Sequence, residues 1–292
     1  MLFLNILSKV LFISFLLLGC QDKKEIAFYH WKSKCDVNSS FSYPLYVKVL
    51  DIGVKNVIKT VCKKPHISVV YIDNRALKQR DDISKLVLQT VPKDVKEVQF
   101  DCDWTLSTKK KYFQLLTKMK KYYKKITVTI RLHQLKYSEK TGVPPVDGGV
   151  LMFYNMSDFL DSKTKNYILD LKVAKSYLKD FKTYPLKLDL ALPIYSMATI
   201  IRYGKVVGVI DGVKKNFLGK NFVHLKENRY KVLKTHYFKG HLLYEGDILR
   251  VDEVSLKILK KAVKMIPFEF GKIIYFRYSS LKYWEQKNLL SI

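Results

Sequence analysis

The chain has 292 residues, and its 53 Lys and Arg against 26 Asp and Glu give a formal charge of +27 at pH 7. Nucleic-acid recognition favours Arg, whereas 46 of these basic residues are Lys spread along the whole chain, so we expect no nucleic-acid partner. A solvated lysine-rich surface is the preferred interpretation, and attraction to acidic polysaccharide or anionic lipid stays open.

The first 19 residues have the pattern of a targeting segment. Lys9 is followed by an apolar stretch, Val10 to Leu18, that is too short to cross a bilayer. The segment ends in Leu17-Leu18-Gly19-Cys20, which resembles the lipobox of bacterial lipoproteins. Cleavage before Cys20 and acylation of its thiol would leave residues 20–292 tethered to a membrane in the cell envelope. Gln21 would favour the outer membrane in a Gram-negative cell. An ordinary signal peptide and an uncleaved anchor are the alternatives.

The other three cysteines are Cys35, Cys62 and Cys102, an odd set without CxxC spacing. This spacing indicates neither a zinc site nor a disulfide framework. One bridge in an oxidising compartment and three buried free thiols are both compatible with the sequence.

Eight short apolar runs have the pattern of β-strands: 26–31, 45–51, 67–73, 95–104, 126–134, 150–156, 186–195 and 272–278. Apolar residues at helical spacing predict helices over 54–61, 112–123, 167–181 and 256–266. This alternation in about 270 residues predicts one α/β domain, a (β/α)8 TIM barrel. Residues from about 197 to 250 do not fit the repeat and predict a small β-rich insertion between strands seven and eight.

The fourth predicted strand ends in two aspartates. Because strand side chains alternate, Asp101 and Asp103 point to the same side. Two carboxylates at such a short distance shift each other's pKa. They also lie at the C-terminal end of a barrel strand, where the functional residues of such barrels are found. Such a pair must be solvated, ion-paired or functional, and on the functional interpretation Asp101 and Asp103 are the candidate catalytic residues.

The other strand ends are rich in aromatic, amide and charged side chains, the mixture that sugar sites use. On strand five, Thr127, Thr129, Arg131 and His133 share one face, which would line the barrel and bring Arg131 beside the aspartates. A structural salt bridge and a ligand role are both open for Arg131. The predicted substrate-binding residues are Trp31, Asp73, Trp104, Arg131, His133, Tyr154, Asn155 and Tyr195.

His30 and His133 would suit a divalent metal if they met at the barrel mouth beside the two aspartates. A hydrogen-bonded core histidine is the preferred interpretation of His30. We expect no metal site and no cofactor.

Three segments together resemble the family 18 glycoside hydrolases, the chitinase-like barrels. They are Phe-Asp-Cys-Asp-Trp-Thr (100–105), Met-Phe-Tyr-Asn (152–155) and Leu-Asp-Leu-Ala-Leu-Pro-Ile-Tyr-Ser (188–196). In that family a DxxDxDxE signature lies on strand four, M-x-Y-D on strand six and G-L-P-x-Y-G on strand seven. An insertion between strands seven and eight is also common there. The chain is similar, too, to uncharacterised bacterial envelope lipoproteins that share FDCDWT and the TGVPPVD segment.

The chain departs from the family pattern at the residues of chemistry. The resemblance places Asp101 and Asp103 on the second and third acids, Val98 on the first and Thr105 on the glutamate that serves as general acid. Threonine has no usable pKa for that role. Asn155 replaces an aspartate, although an amide would still hold an acetamido group. The family's Trp on strand eight is missing, so Tyr278 or Trp284 would have to replace it.

Three functional hypotheses follow. The first is a glycan-processing hydrolase with a relocated acid: Asp103, with its pKa raised by Asp101, or Asp73 or Asp51 from a neighbouring strand. The second is a non-catalytic glycan-binding barrel, and the third is a structural or interaction lipoprotein. The expected partners are a glycan or peptidoglycan-type polysaccharide and, through the N-terminal lipid, a membrane; we expect a monomer.

Overall fold

The computed structural model describes residues 24–292. The predicted signal segment and the lipid-acceptor Cys20 lie outside the described residues. Among the helices of residues 24–292, none combines the length and apolar character needed to span a membrane.

Eight parallel strands form a closed ring. In ring order they are β1 (Glu25–His30), β2 (Leu45–Ile52), β4 (Ile67–Ile72), β5 (Val98–Asp101), β6 (Ile126–Arg131), β7 (Gly148–Met152), β8 (Leu188–Pro193) and β16 (Lys272–Phe276). Pairing of β1 with both β16 and β2 closes the ring. The predicted (β/α)8 TIM-barrel fold is therefore confirmed.

Helices cover most of the outside of the ring. They are α1 (Asn74–Gln79), α2 (Ile83–Thr90), α3 (Lys109–Met119), α4 (Leu132–Lys136), α5 (Ser138–Thr141), α6 (Leu171–Leu178), α7 (Leu256–Lys264) and α8 (Gln286–Leu289). Three of the four predicted helices are present as α3, α6 and α7. Each buries its apolar stripe on the barrel, as α3 does with Tyr112, Leu116 and Met119.

The predicted helix over 54–61 is wrong. The chain instead turns at Gly53, whose amide donates to the Asn56 carbonyl, and returns as the short strand β3 (Val57–Lys59), antiparallel to β2. The four apolar residues that suggested a helix are all β-branched, a side-chain type that favours strands. Val61 is 83% exposed, so the supposed apolar stripe does not face a core.

A disulfide joins the two crossovers of residues 24–292 that carry no helix, the one between β1 and β2 and the one between β2 and β4. Cys35 and Cys62 are bonded, with their Cα atoms 5.2 Å apart. Cys102 is a buried free thiol. Of the two arrangements that the sequence allowed, the structure has the single bridge.

Strand phase explains the barrel interior. The Thr127 and Thr129 hydroxyls point inward and donate to the carboxylates of Glu97 and Asp101, at 2.8 and 2.6 Å. The alternate residues of the strand, Val128 and Ile130, are buried in the hydrophobic core. The predicted polar and apolar faces of this strand are therefore both present, as far as Arg131.

The β-rich insertion lies between β8 and β16. It consists of β9 (Met197–Arg202), β10 (Lys205–Asp211), β11 (Phe222–His224), β12 (Arg229–Val232), β13 (His236–Phe238), β14 (His241–Leu243) and β15 (Ile248–Asp252). Five of these strands form one sheet in the order β10-β9-β15-β12-β11. The sheet has its own small core, which includes Ala198, Leu249 and Val251.

Candidate functional site at the barrel mouth

The two aspartates of the fourth barrel strand have different surroundings. Asp101, the last residue of β5, is 9% exposed and accepts a hydrogen bond from the Thr129 hydroxyl. Asp103 lies beyond the strand, is exposed, and forms an ion pair with Arg131 at 2.9 Å. The position of Arg131 beside this pair is as predicted, but its ion pair is made with Asp103 and not with Asp101.

Burial raises the pKa of Asp101 to about 6, and the neighbouring charge of Asp103 adds to the shift. The hydrogen bond from Thr129 and the charge of Arg131 oppose it only in part. Asp101 is thus the carboxyl of this site that takes up a proton near neutral pH. A proton held there has little direct access to a ligand, because the group lies at the bottom of the mouth.

An arc of aromatic rings lies across the barrel mouth; we call it the aromatic arc. Its members are Tyr71, Trp31, Phe276, Tyr154 and Tyr195. The Phe276 ring stacks on Tyr154 at 5.1 Å between centroids and meets Trp31 and Tyr195 edge-on, both at 5.6 Å. The Trp31 ring in turn meets Tyr71 at 6.2 Å. Trp31, Phe276 and Tyr71 are half-buried, so part of each ring is available to a ligand.

Tyr71 marks where the carboxylates of the mouth converge. Burial raises the pKa of its hydroxyl to about 12, and four surrounding carboxylates add to the shift. These carboxylates are Asp101, Asp103, Asp73 and Asp51. They lie at or just beyond the ends of the second, third and fourth barrel strands.

A β-bulge turns Asp51 to the same side of β2 as Lys48, at the mouth. The register between β2 and β4 shifts between Lys48 and Leu50, so Val49 is the extra residue. In a regular strand Lys48 and Asp51 would point to opposite faces, but here they are in contact at 2.5 Å. The Lys48 ammonium also lies 5.3 Å from the Trp31 ring and 5.8 Å from the Tyr71 ring, a cation–π arrangement.

The predicted pair Tyr154 and Asn155 follows β7. Asn155 has a positive φ of 55°, and the Tyr195 hydroxyl donates to its side-chain oxygen. Tyr154 is buried, and burial raises the pKa of its hydroxyl well above the usual range. The structure thus joins Tyr154, Asn155 and Tyr195 in one cluster. Tyr154 and Asn155 also line a cavity of about 60 Å³ together with Arg131.

His133 does not share a strand face with Arg131, contrary to the prediction. Strand β6 ends at Arg131, whose amide donates to the Gln134 side chain at 2.8 Å, and this contact starts α4. His133 nevertheless lines the same small cavity from the helix. Burial lowers its pKa, which favours the neutral imidazole.

Two other predicted residues have structural partners instead of an open face. Trp104 is 1% exposed, stacks on Tyr112 and donates to the Thr141 carbonyl, which leaves no ring face for a ligand. Asp73 caps α1, and its hydrogen bonds to Arg75 hold the pKa of its carboxyl below the usual value. Trp104 therefore offers no open ring face for stacking, and its predicted role in substrate binding stays a prediction.

Thr105 belongs to the turn that starts α3. Its amide donates to the Thr108 hydroxyl at 2.9 Å, and its own hydroxyl contacts Ser107 at 3.0 Å. Thr105, which the family resemblance places at the general-acid position, is thus part of the turn that starts α3. It offers a hydroxyl and no proton of suitable acidity.

Phe276, and neither Tyr278 nor Trp284, is the aromatic residue that strand eight contributes to the aromatic arc. Tyr278 instead packs on Phe41 at 4.8 Å, and the Trp284 indole donates to the Ile194 carbonyl. His30, the candidate metal ligand, is buried and bonded to Asp36 at 3.0 Å. Phe276 lies two residues before Tyr278, so the alternation of strand side chains could have identified Phe276 from the sequence as a residue on the same face.

No family model and no curated protein matches the sequence. The solved structures that are similar to the whole barrel include three chitinases. The chitinase from Chromobacterium violaceum has 10% identity and a TM-score of 0.54, with 92% of this chain and 97% of that chain covered. A class V chitinase from Nicotiana tobaccum, in complex with NAG4, has 11% identity, a TM-score of 0.52 and the same coverage.

A family 18 chitinase from Cycas revoluta, in complex with (GlcNAc)4, has 8% identity and a TM-score of 0.52. It is matched over 87% of this chain and 95% of that chain. This chain therefore has the barrel fold of the family 18 chitinases. The resemblance seen in the sequence motifs is confirmed at the level of the fold.

Proposed function

We propose that the barrel mouth binds a glycan that contains N-acetylated sugars, and that it does so without cleaving the chain. The observation that carries this proposal is the aromatic arc, with its half-buried Trp31 and Phe276, facing the ion pair of Asp103 and Arg131. Sugar rings stack on aromatic faces, and their hydroxyl and acetamido groups take hydrogen bonds from carboxylate and guanidinium groups. Complexes of two structural neighbours with N-acetylglucosamine oligomers support this choice of ligand.

The ion pairs of the mouth argue against an ordinary general acid. Such an acid must hold a proton near neutral pH and reach the leaving oxygen. Asp103, Asp73 and Asp51 each contact a cationic side chain, namely Arg131, Arg75 and Lys48. These contacts engage all three carboxylates, and the hydrogen bonds from Arg75 also lower the pKa of Asp73, so none of the three is free to act as the acid.

Hydrolysis remains a second candidate because of one carboxyl. Asp101 has a pKa of about 6, which suits a proton donor, although it is only 9% exposed. If the protein releases products from N-acetylglucosamine oligomers or peptidoglycan fragments and Asp101→Asn abolishes the release, the non-catalytic proposal fails. Binding without any product, measured by chromatography after long incubation, supports it.

Removing the Trp31 ring is expected to weaken binding of an N-acetylglucosamine tetramer by about tenfold. The reason is the loss of one stacking surface of an aromatic side chain, about 1–2 kcal/mol. Titration calorimetry of Trp31→Ala measures it. The matched control is Tyr203→Ala, since Tyr203 is 97% exposed in the turn after β9. Equal loss of affinity in both variants, or no binding to any member of a broad glycan panel, would contradict the proposal. The hypothesis of a structural or interaction protein would then be the one left.

We further propose that the protein is an envelope lipoprotein anchored through Cys20. The lipobox-like sequence supports this location, and so does the Cys35–Cys62 bridge, because disulfides persist in oxidising compartments. Incorporation of labelled palmitate in a bacterial host, lost in Cys20→Ser, is the expected result. Unchanged labelling in Cys20→Ser would contradict it.

A further inference from the structure

The N-terminal end of the barrel, opposite the mouth, carries a dense group of lysines. All eight strands of a parallel barrel start at the same end, so the residues just before them lie together there. Lys24 and Lys187 immediately precede β1 and β8, and Lys96 lies two residues before β5. Lys24, Lys125 and Lys187 line a single cavity of about 610 Å³ at this end.

Most of these lysines have no carboxylate partner within residues 24–292. The exposed lysines without an ion pair, which we call the basic end, are Lys24, Lys93, Lys96, Lys121, Lys124 and Lys187. Two of them lie over aromatic rings: Lys24 over Phe270 at 5.2 Å and Lys93 over Tyr122 at 5.5 Å.

Several carboxylates at the same end form ion pairs or hydrogen bonds with residues outside the basic end. Glu97 pairs with Lys125 and Asp147 with Lys120, while Asp189 accepts from the Lys272 amide. Asp94 and Glu269 are exposed at the same end and form no ion pair within residues 24–292, but the six lysines of the basic end outnumber them, so this end has a net positive charge.

The position at which the chain enters the barrel indicates which partner lies against the basic end. The structure begins at Lys24 in the middle of the basic end, and Cys20 is four residues earlier. Four residues span at most roughly 14 Å. A lipid on Cys20 would therefore hold the basic end within one to two Debye lengths of the membrane surface, since that length is about 8 Å in physiological salt.

We propose that the basic end docks on an anionic lipid surface, which orients the barrel mouth away from the membrane. The orientation rests on the proposed lipid anchor at Cys20, whereas the charge preference does not. Lysines near an anionic membrane strengthen binding by about fivefold each. The surface is independent of the glycan site, because the two lie at opposite ends of the barrel.

Partitioning of the full chain between buffer and vesicles tests the proposal. Vesicles of 30% phosphatidylglycerol in phosphatidylcholine are compared with pure phosphatidylcholine, which measures the apolar N-terminal segment alone. Replacing Lys93, Lys121 and Lys124 by Gln is expected to lower the preference for the anionic vesicles by at least tenfold. The matched control replaces Lys34, Lys140 and Lys163 by Gln; these exposed lysines follow barrel strands at the mouth end. Equal losses in both variants would overturn the proposal.

Lysine footprinting supplies a second readout that needs no variant. On anionic vesicles, acetylation of Lys93, Lys121 and Lys124 is expected to fall severalfold, while Lys34, Lys140 and Lys163 stay reactive. Protection of the mouth-end lysines instead would contradict the orientation. Glycan titration and palmitate labelling of the same proteins separate these results, because a failed glycan site or a missing lipid leaves the charge preference measurable.

Discussion

Asp101→Asn is expected to raise the free energy of unfolding at pH 7.5 by about 2–3 kcal/mol. Burial raises the pKa of this carboxyl from 3.8 to about 6 in the folded protein, and each pKa unit corresponds to about 1.4 kcal/mol. Ionised Asp101 therefore destabilises the fold, and an amide removes that charge. The Thr129 hydroxyl would still have an oxygen acceptor in the variant.

Because the pKa of Asp101 is raised in the folded protein, the gain in stability should depend on pH. Below about pH 4 the carboxyl is protonated in both the folded and the unfolded chain, so the variant and the parent should be equally stable. The difference should grow between pH 4 and 6 and stay constant above. Urea unfolding across this range measures it. Asp103→Asn, which removes an exposed carboxylate paired with Arg131, should give no gain. Loss of stability in Asp101→Asn at pH 7.5 would contradict this view of the site.

Arg250→Leu is expected to lower the free energy of unfolding by about 3–5 kcal/mol. Arg250 and Asp252 form a fully buried ion pair, and breaking such a pair leaves one buried charge alone. The guanidinium also donates to the Asp161 carbonyl and the Thr199 hydroxyl, both at 3.0 Å. These contacts join the insertion to the loop after β7, which leads from Asn155 towards α6.

The penalty should increase with pH. Burial already raises the pKa of Asp252 to about 6, and loss of Arg250 would raise it further. The variant is therefore expected to lose least near pH 4, where Asp252 is protonated, and most above pH 7. The matched control is Arg75→Leu: Arg75 also pairs with an aspartate two positions away, but its side chain is 77% exposed, so we expect a change below about 1 kcal/mol. Similar losses in both variants would contradict the role of burial.

The barrel was readable from the sequence because parallel strands are buried on both sides and carry uninterrupted apolar runs. The inward phase of Thr127, Thr129 and Arg131 followed from the strand period alone. Strand ends were less accurate: the predicted strand over 126–134 stops at Arg131, since Gln134 caps the helix that follows. That difference moved His133 from a strand face to a helix.

The parts of the site that were missed depend on contacts between distant segments. Asp51 shares the inner face with Lys48 only because of the bulge at Val49, which alternation does not reveal. Trp104 follows the aspartates as a ligand residue would, but its ring is covered by Tyr112 of α3. Tyr71 shares its strand phase with Asp73 and was in principle within reach of sequence reasoning.

The most direct test of the glycan-binding mouth is a crystal structure of the protein soaked with an N-acetylglucosamine tetramer. We predict sugar rings against Trp31 and Phe276, with polar groups at Asp103 and Arg131 and the oligomer intact. Saturating ligand with an empty mouth would contradict the account. So would sugar bound only in the groove between the loop after β1 and residues 278–286.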